Sequence, residues 1–263
     1  MKKFVALLLA VLMVASLCAC GQKDTGSDLQ TVTKGKLTMS TNAQFPPYES
    51  VADDGKGYEG TGFEGIDIEI AYALAQKLGL ELVVDDMDFD SALSAVQTGK
   101  SDIVAAGVTV TPERQNTMSF TDSYANGVQV VIVKEGSDIK SIDDLTGKRI
   151  AAQIGTTGAD KANSVKDAKV TLFNTNTESA MELTNGGVDA VINDSPVIGY
   201  YLAQGGSEVA KTVGDVMEAE QYGIAVKKDN TKLLEDINKA LAELKKDGEY
   251  DKIYKTWFGE VKK

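Results

Sequence analysis

The stretch from Gly107 to Arg114 holds polar groups whose types and spacing could bind a small anion. It places the Thr109 and Thr111 hydroxyls, free backbone N–H groups and one guanidinium directly after a short apolar run. Donors gathered at such a turn suit a carboxylate. The same residues also fit an ordinary capped helix with a surface arginine, because Thr111 suits the N-cap and Pro112 the first helical position.

Two later turns add a second anion site and a fixed negative charge. The first runs from Gln153 to Gly158, and its small residues leave backbone N–H groups free at the start of a helix. Its spacing matches neither a phosphate-binding loop nor a dinucleotide fingerprint. The second ends an apolar strand at Asp194, just before Ser195 and Pro196. Asp194 could cap the following helix or point its carboxylate toward an ammonium group.

Aromatic residues follow the first two predicted strands. Phe45 precedes the paired prolines Pro46 and Pro47, which stiffen its turn, and Phe89 follows the second strand. Either ring could pack on the body of the protein or form an apolar wall beside a bound molecule. Trp257, by contrast, lies at helical spacing with other apolar residues and is expected in the core.

The amino-acid composition excludes most kinds of catalytic site and metal site. It contains no histidine, and its two cysteines, Cys18 and Cys20, both lie near the N-terminus. The folded body therefore offers no imidazole base, thiol nucleophile or thiolate metal site. A net charge of −12 without a cluster of lysine and arginine argues against a nucleic-acid partner. We expect no cofactor, no metal and no catalytic residue.

The N-terminal segment, residues 1–19, is predicted to be a signal peptide. Two lysines precede an apolar run from Phe4 to Val14 that is too short to span a bilayer. The sequence Leu17-Cys18-Ala19-Cys20-Gly21 resembles the cleavage site of bacterial lipoproteins, which implies that Cys20 is lipidated. The first of the two cysteines fits this role less well because a leucine precedes it. A plain secretory signal is the alternative.

Beyond a flexible tether at residues 20–35, apolar runs alternate with helical patterns in two successive β-α-β-α-β units. Each unit predicts a parallel sheet flanked by helices. Strand-like runs would link the units twice, so we expect a two-lobed α/β architecture with a double crossover. Lobe 1 would comprise residues 36–126 and 222–263, and lobe 2 residues 127–221. Ligand sites in such folds lie between the lobes, at the carboxyl ends of strands.

Local signals set two helix boundaries in lobe 1. Apolar residues at helical spacing predict a helix from Ile66 to Leu78, with Gly79 just past its end. Asp90 or Ser91 is expected to cap the next helix.

A series of short motifs resembles the extracellular solute-binding proteins of polar amino acid ABC transporters. The resemblance extends from about Lys36 to Gly259, and its most specific part is Thr111-Pro112-Glu113-Arg114. The motifs occur in this order: Phe45-Pro46-Pro47-Tyr48-Glu49, Phe63-Glu64-Gly65-Ile66-Asp67, Met87-Asp88-Phe89, Gly107 to Arg114, Gly155-Thr156-Thr157, Asn193-Asp194-Ser195-Pro196 and Gln221-Tyr222-Gly223-Ile224-Ala225-Val226.

This resemblance implies a periplasmic-binding-protein-like fold of type II, with two hinge crossovers and a mainly parallel sheet flanked by helices in each lobe. The protein would capture a free amino acid between its lobes and deliver it to an ABC permease. It would act as a monomer, held by its lipid anchor on the outer face of the bacterial cell membrane.

The resemblance also implies roles for individual residues. Arg114 would bind the α-carboxylate of the amino acid, helped by the N–H groups of Thr109 and Thr156. Asp194 would pair with the α-ammonium, helped by the Gly107 carbonyl and the Thr109 hydroxyl. Two aromatic rings and four polar residues would lie near the side chain of the ligand: Phe45, Phe89, Asn42, Gln153, Thr157 and Asn193.

The amides of Asn42, Gln153 and Asn193 suggest a ligand with a polar neutral side chain, such as glutamine or cystine. A basic amino acid would need an additional carboxylate at the side-chain end of the site, where Asn42 offers an amide.

Two other functions stay open at this point. Some relatives of these proteins act as dehydratases on cyclohexadienyl acids, a reaction that needs a general acid, for which Glu64 is the nearby candidate. A sensor ectodomain could use the same fold for recognition alone.

Overall fold

The structure is a computed structural model that describes residues 29–214 and 217–259. The predicted signal peptide at residues 1–19 and the predicted lipidation site Cys20 lie outside the described residues. No helix within the described ranges is long and apolar enough to cross a membrane.

The described strands and helices alternate along the chain. The strands are β1 Lys36–Thr41, β2 Gln44–Phe45, β3 Glu49–Val51, β4 Phe63–Glu64, β5 Glu81–Asp86, β6 Ile103–Val104, β7 Met118–Phe120, β8 Ala125–Lys134, β9 Arg149–Gln153, β10 Lys169–Phe173, β11 Ala190–Asp194, β12 Ala210–Val213, β13 Ala219–Tyr222 and β14 Ala225–Lys227. The α-helices are α1 Ile66–Leu78, α2 Phe89–Thr98, α3 Pro112–Gln115, α4 Thr157–Ser164, α5 Asn176–Asn185, α6 Ser195–Ala203, α7 Thr231–Asp247 and α8 Glu249–Phe258.

The sheet of lobe 1 has the strand order β5-β1-β6-β14-β7. Strand β1 runs parallel to both β5 and β6, as the first β-α-β-α-β unit predicts. Strand β14 is antiparallel to β6 and β7. It belongs to the segment that returns from lobe 2, so it enters the sheet in the opposite direction.

The sheet of lobe 2 follows the same plan, with the order β10-β9-β11-β8-β12 and with β13 also paired to β8. Strand β9 runs parallel to β10 and β11, whereas β8 is antiparallel to β11, β12 and β13. Both sheets are therefore mixed. The predicted parallel order holds for the three strands of each β-α-β-α-β unit, and the crossover strands add antiparallel pairs.

The two lobes are joined through the antiparallel pair formed by β8 and β13. Strand β8 is ten residues long and continues into the second sheet. A β-bridge between Thr109 and Tyr222 connects the end of β13 to lobe 1. The lobe boundaries expected at residues 126/127 and 221/222 fall within these two strands.

The two predicted helix boundaries of lobe 1 had different outcomes. Helix α1 spans the predicted residues, and Gly79 adopts a left-handed conformation with φ of 69° that ends it. The prediction that Asp90 or Ser91 caps α2 was wrong. The N-cap is Asp88, and no side chain bonds there. Phe89, the first residue of the helix, is buried, so packing of the ring sets this boundary.

The C-terminal helices cover lobe 1. Helix α7 buries the apolar stripe that includes Leu233, Ile237 and Leu241. Trp257, on α8, packs against the same core, and its Nε1–H donates to Glu69 Oε1 at 2.8 Å. Trp257 is thus partly buried and serves packing, as expected.

The segment before β1 docks on lobe 1 sooner than the sequence suggested. Leu29 packs against the lobe 1 core, and the backbone N–H of Val32 donates to Asp102 Oδ1 at 2.7 Å. The predicted flexible tether at residues 20–35 is corrected accordingly, because its described part, from Leu29 onward, is attached to the folded body.

Candidate functional site

The carboxyl ends of strands from both lobes surround a small cavity with about 320 Å³ of empty space. Most residues that the sequence analysis assigned to a ligand line it. Glu49 and Ala106 also line the cavity and were not predicted. Asn193 was predicted but lies outside the lining. The predicted residues that the structure brings together are Asn42, Phe45, Phe89, Gly107, Thr109, Arg114, Gln153, Thr156, Thr157 and Asp194.

Arg114 is held in place by its local structure. The Thr111 hydroxyl accepts the backbone N–H of Arg114 at 3.1 Å, so the predicted N-cap is present. The guanidinium donates to the carbonyl of Thr109 at 2.8 Å and, across the cleft, to the carbonyl of Gly155 at 2.9 Å. It also lies over the Phe89 ring, 5.5 Å from the centroid. Burial lowers the pKa of Arg114, but an arginine side chain stays charged.

Asp194 supplies the opposite charge from lobe 2. It occupies the N-cap position of α6 without making a side-chain cap bond, so its carboxylate serves another purpose. That carboxylate accepts Gln129 Nε2–H at 3.0 Å and the hydroxyl of Tyr222. Burial, together with the neighbouring Glu220, raises the pKa of Asp194 to about 6, against the lowering effect of these hydrogen bonds.

Gly107 allows the Phe45 ring to enter the site. Its φ is +55°, and a Cβ placed there would lie 2.6 Å from Phe45 Cε1. Its N–H donates to Asp67 Oδ2 at 2.9 Å, which holds the Gly107 backbone in place. The Phe45 ring packs closely against this backbone. A side chain at this position would displace the aromatic wall.

Glu220 connects hydroxyls from both lobes and was missed by the sequence analysis. Its Oε2 accepts from Thr109 Oγ1 at 2.7 Å and from Thr157 Oγ1 at 2.8 Å. Since a threonine hydroxyl has a single hydrogen, the remaining capacity of Thr109 Oγ1 is that of an acceptor. A carboxylate on a short strand of the crossover carries no local signal that would have revealed this role.

Two amides meet across the cleft. Gln153 Nε2, from lobe 2, donates to Asn42 Oδ1, from lobe 1, at 2.9 Å. Asn193 is one position away from the lining, and its Nδ2 donates to Asn176 Oδ1 at 2.6 Å. The bond between Gln153 and Asn42 and the bond between Arg114 and Gly155 both cross the cleft, so the two lobes are closed on each other.

Glu49 is an unexpected acid in the cavity wall. Its side chain is fully buried, and neither carboxylate oxygen accepts a hydrogen bond from any of the described residues. Burial and the neighbouring Asp67 raise its pKa well above the ordinary value. Glu49 pairs with Phe45 in the β2–β3 hairpin, which puts both side chains on one face. This hairpin is too short to produce a periodic signal in the sequence.

The chain matches the family model of bacterial extracellular solute-binding proteins, family 3, over residues 37–260. The chain belongs to this family. It is 34% identical to the arginine-binding extracellular protein ArtP of Bacillus subtilis (strain 168), over 98% of this chain and 98% of that protein.

Among solved structures, this solute-binding protein is similar to an ancestral arginine-binding protein bound to arginine, with 43% identity and a TM-score of 0.81. That match covers 86% of this chain and 99% of the other. A structure of an ancestral arginine-binding protein bound to glutamine gives 44% identity and a TM-score of 0.78, with coverage of 87% and 100%. These matches confirm the predicted two-lobed α/β fold, and the family places the protein outside the cytoplasm.

The cavity of this solute-binding protein carries opposite charges on opposite lobes. Arg114 belongs to lobe 1 and Asp194 to lobe 2, and both line the cavity. A small molecule with a carboxylate and an ammonium could touch both at once. Within the described residues, no group of three or more histidine, cysteine, aspartate or glutamate side chains could hold a metal ion.

We expect amino-acid affinity to fall as the pH drops below about 6. The ammonium of a ligand needs an ionised Asp194, whose pKa in the buried site is about 6. Arg114 and Tyr222 act on the same carboxylate, and neither changes charge near that pH, because an arginine stays protonated and the pKa of Tyr222 is raised well above its ordinary value. Well below pH 6, the affinity should fall by up to about tenfold for each further pH unit. Titration calorimetry at pH 5, 6, 7 and 8 measures it, and equal affinity throughout would contradict the role of Asp194.

The stability of the ligand-free fold should depend on pH in the opposite direction from the ligand affinity. Burial raises the pKa of both Asp194 and Asp67 to about 6, above the ordinary value for aspartate. Groups with a raised pKa stabilise the fold most below the unfolded pKa of about 4, and they lose this contribution as the pH rises through about 6. Thermal unfolding of ligand-free protein and calorimetric affinity would therefore change in opposite directions between pH 4 and pH 7.

Proposed function

We propose that this protein captures a free polar amino acid between its lobes and delivers it to an ABC permease. The observation that carries the proposal is the placement of Arg114 and Asp194 on opposite sides of one cavity. Arg114 would bind the α-carboxylate with its two-pronged guanidinium, together with the N–H groups of Thr109 and Thr156. Asp194, the Gly107 carbonyl and the Thr109 hydroxyl would bind the α-ammonium.

A zwitterion held in this way favours the closed form. Each half of its headgroup contacts a different lobe, so both contacts exist together only when the lobes approach. A ligand shifts a conformational equilibrium through such differential contacts. The closed, loaded form would be the one that the permease recognises.

Titration calorimetry with the free amino acids tests the proposal. The protein is first unfolded and refolded to remove any bound ligand. One-to-one binding of at least one polar amino acid is expected. The absence of binding to every free amino acid would reject the proposal.

We infer that the side chain of the ligand ends in N–H donors. This retains glutamine from the sequence hypothesis and adds arginine. Glu49 would supply the additional carboxylate that a basic ligand requires, because a guanidinium beside it would lower its raised pKa and favour the ionised form. Glu49 lines the cavity, and its carboxylate oxygens have no hydrogen-bond partner among the described residues, so they are free to meet a donor of the ligand. An arginine-binding relative and an ancestral arginine-binding protein with bound glutamine support this choice, whereas other relatives are named for histidine or for cystine.

Replacement of Glu49 by glutamine should separate these two ligands. The variant keeps the shape of the side chain but cannot carry a negative charge. Arginine affinity should fall by at least about tenfold, because the guanidinium loses a charged partner in a buried site. Glutamine affinity should change by less than about threefold, since a neutral amide gains little from the charge.

Glu64→Gln is the matched control for this prediction. Glu64 is only partly buried, on β4, and does not line the cavity. It should leave both affinities unchanged. Equal losses for arginine and glutamine in Glu49→Gln would contradict the assignment of Glu49 to the side-chain end.

We propose binding rather than catalysis as the activity of the cavity. Glu64, the acid considered for a dehydratase, lies outside the lining. Turnover of prephenate or arogenate by the purified protein would reverse this choice.

We also retain the proposal of a monomer anchored through lipidated Cys20 on the outer face of the cell membrane. Labelling with palmitate that persists in Cys20→Ser would reject that anchor.

A further inference from the structure

A chain of side-chain amides begins at the backbone of the acidic anchor in lobe 2. The N–H of Asp194 donates to Asn193 Oδ1 at 2.7 Å, and Asn193 Nδ2 donates to Asn176 Oδ1 at 2.6 Å. Asn176 Nδ2 then donates to Gln153 Oε1 at 2.8 Å. All three side chains are buried, so each hydrogen bond is shielded from water.

The amide chain continues into lobe 1. Gln153 Nε2 donates to Asn42 Oδ1 at 2.9 Å and also to the carbonyl of Asn174 at 2.8 Å. Asn42 Nδ2 donates to the carbonyl of Met87 at 3.0 Å. We use the term amide chain for Asn193, Asn176, Gln153 and Asn42, which together connect the two lobes.

Backbone groups at both ends fix the direction of every amide in this chain. The N–H of Asp194 can only donate, so Asn193 must present its oxygen there and its NH₂ to Asn176. The carbonyls of Met87 and Asn174 can only accept, so Asn42 and Gln153 must present their NH₂ groups to them. A reversed amide anywhere along the line would bring two acceptors or two donors together.

This direction determines what Gln153 can offer to a molecule in the cavity. Both hydrogens of its NH₂ group are used, by Asn42 and Asn174. Its oxygen accepts one hydrogen, from Asn176, and an amide oxygen has room for a second. Gln153 lines the cavity, so its remaining capacity there is that of an acceptor.

We propose that the amide chain selects amino acids whose side chains end in N–H donors, and that Asn176 is the positioning residue that holds Gln153 in its accepting orientation. Asn176 does not line the cavity and acts only through Gln153. The inference rests on the proposed amino-acid binding and specifies its ligand class. Sites built to hydrogen-bond a given group reject close analogues that lack it. At the Gln153 oxygen, a side chain that ends in a carboxylate would meet an acceptor and be disfavoured.

Calorimetry on Asn176→Leu and Asn176→Asp tests the proposal, with arginine, glutamine, glutamate and alanine as ligands. Leucine removes both hydrogen bonds of the side chain, and aspartate keeps the shape but cannot donate to Gln153. Both variants should weaken the binding of arginine or glutamine, whichever the wild type binds, by at least about tenfold. Alanine shares the headgroup but does not reach the amides, so its affinity should stay within about twofold.

Asn185→Leu is the matched control, because Asn185 is exposed at the end of the same helix, α5. It should leave all affinities unchanged. Equal weakening of alanine and the donor-ended ligands in the Asn176 variants would show general damage and overturn the proposal. An unchanged preference for glutamine over glutamate would overturn it too. If the wild type binds no free amino acid, the proposed function fails, whereas failure confined to the Asn176 variants leaves that function intact.

Discussion

Arg114→Ala is expected to cause the largest loss of amino-acid binding of any single substitution in the cavity. The change should cost at least roughly 2 kcal/mol of binding free energy, about thirtyfold in affinity. The guanidinium is already oriented by two carbonyls and the Phe89 ring, so it binds a carboxylate without reorganisation. Titration calorimetry with the best ligand measures the effect.

Two further variants make this result specific. Arg149→Ala removes an exposed arginine of lobe 2 that pairs with Asp189 at 2.6 Å, and it should leave ligand affinity unchanged. Arg114→Lys should give an intermediate loss, because lysine keeps the charge but lacks the planar fork of donors. Affinity in Arg114→Ala equal to that of the wild type would refute the assigned role.

Asp194→Asn should produce the second largest loss, on the order of 2 kcal/mol or more. An asparagine oxygen can still accept from Gln129 and Tyr222, so the local fold is kept. The ammonium of the ligand, however, loses its negative partner inside a buried site. Calorimetry with an amino acid and with the corresponding α-hydroxy acid shows which half of the headgroup is affected.

The wild type should prefer the amino acid strongly over its α-hydroxy analogue, and Asp194→Asn should lose most of that preference. Asp143→Asn removes one exposed carboxylate of lobe 2 and serves as the control, with no expected effect. If Asp194→Asn weakened both ligands equally, Asp194 would have a structural role instead of pairing with the ammonium.

The parts of the fold that the sequence predicts are those with strong local signals. Helix α1 combines an apolar stripe with a terminal glycine, and both of its ends were predicted. The N-cap of α3 follows from Thr111 and Pro112. The start of α2 was missed because burial of Phe89 outweighs the capping preference of Asp90. The antiparallel pairing of β14 was not predicted, because its partner strands are distant in the sequence.

The residues of the candidate site also divide into those with a local sequence signal and those without one. Arg114, Asp194 and the threonines lie in strand-to-helix turns, where residue type and position indicate their chemistry. Glu49 and Glu220 lie on short strands whose placement depends on tertiary pairing, so no local pattern marks them. Asn193 was assigned to the ligand site through the family resemblance, whereas the alternating direction of side chains on β11 turns it toward Asn176.

The central claim is that an amino-acid headgroup draws the two lobes together by bridging Arg114 and Asp194. The folded body has no cysteine of its own, so spin labels can be placed on exposed positions of the two helices beside the cleft, through Ser94→Cys on α2 and Asn163→Cys on α4, with Cys20→Ser. Pulsed electron spin resonance then measures the distance between the lobes. The account predicts that the amino acid shortens and narrows this distance distribution, and that Arg114→Ala prevents the change. A distribution that is the same with and without bound amino acid would contradict it.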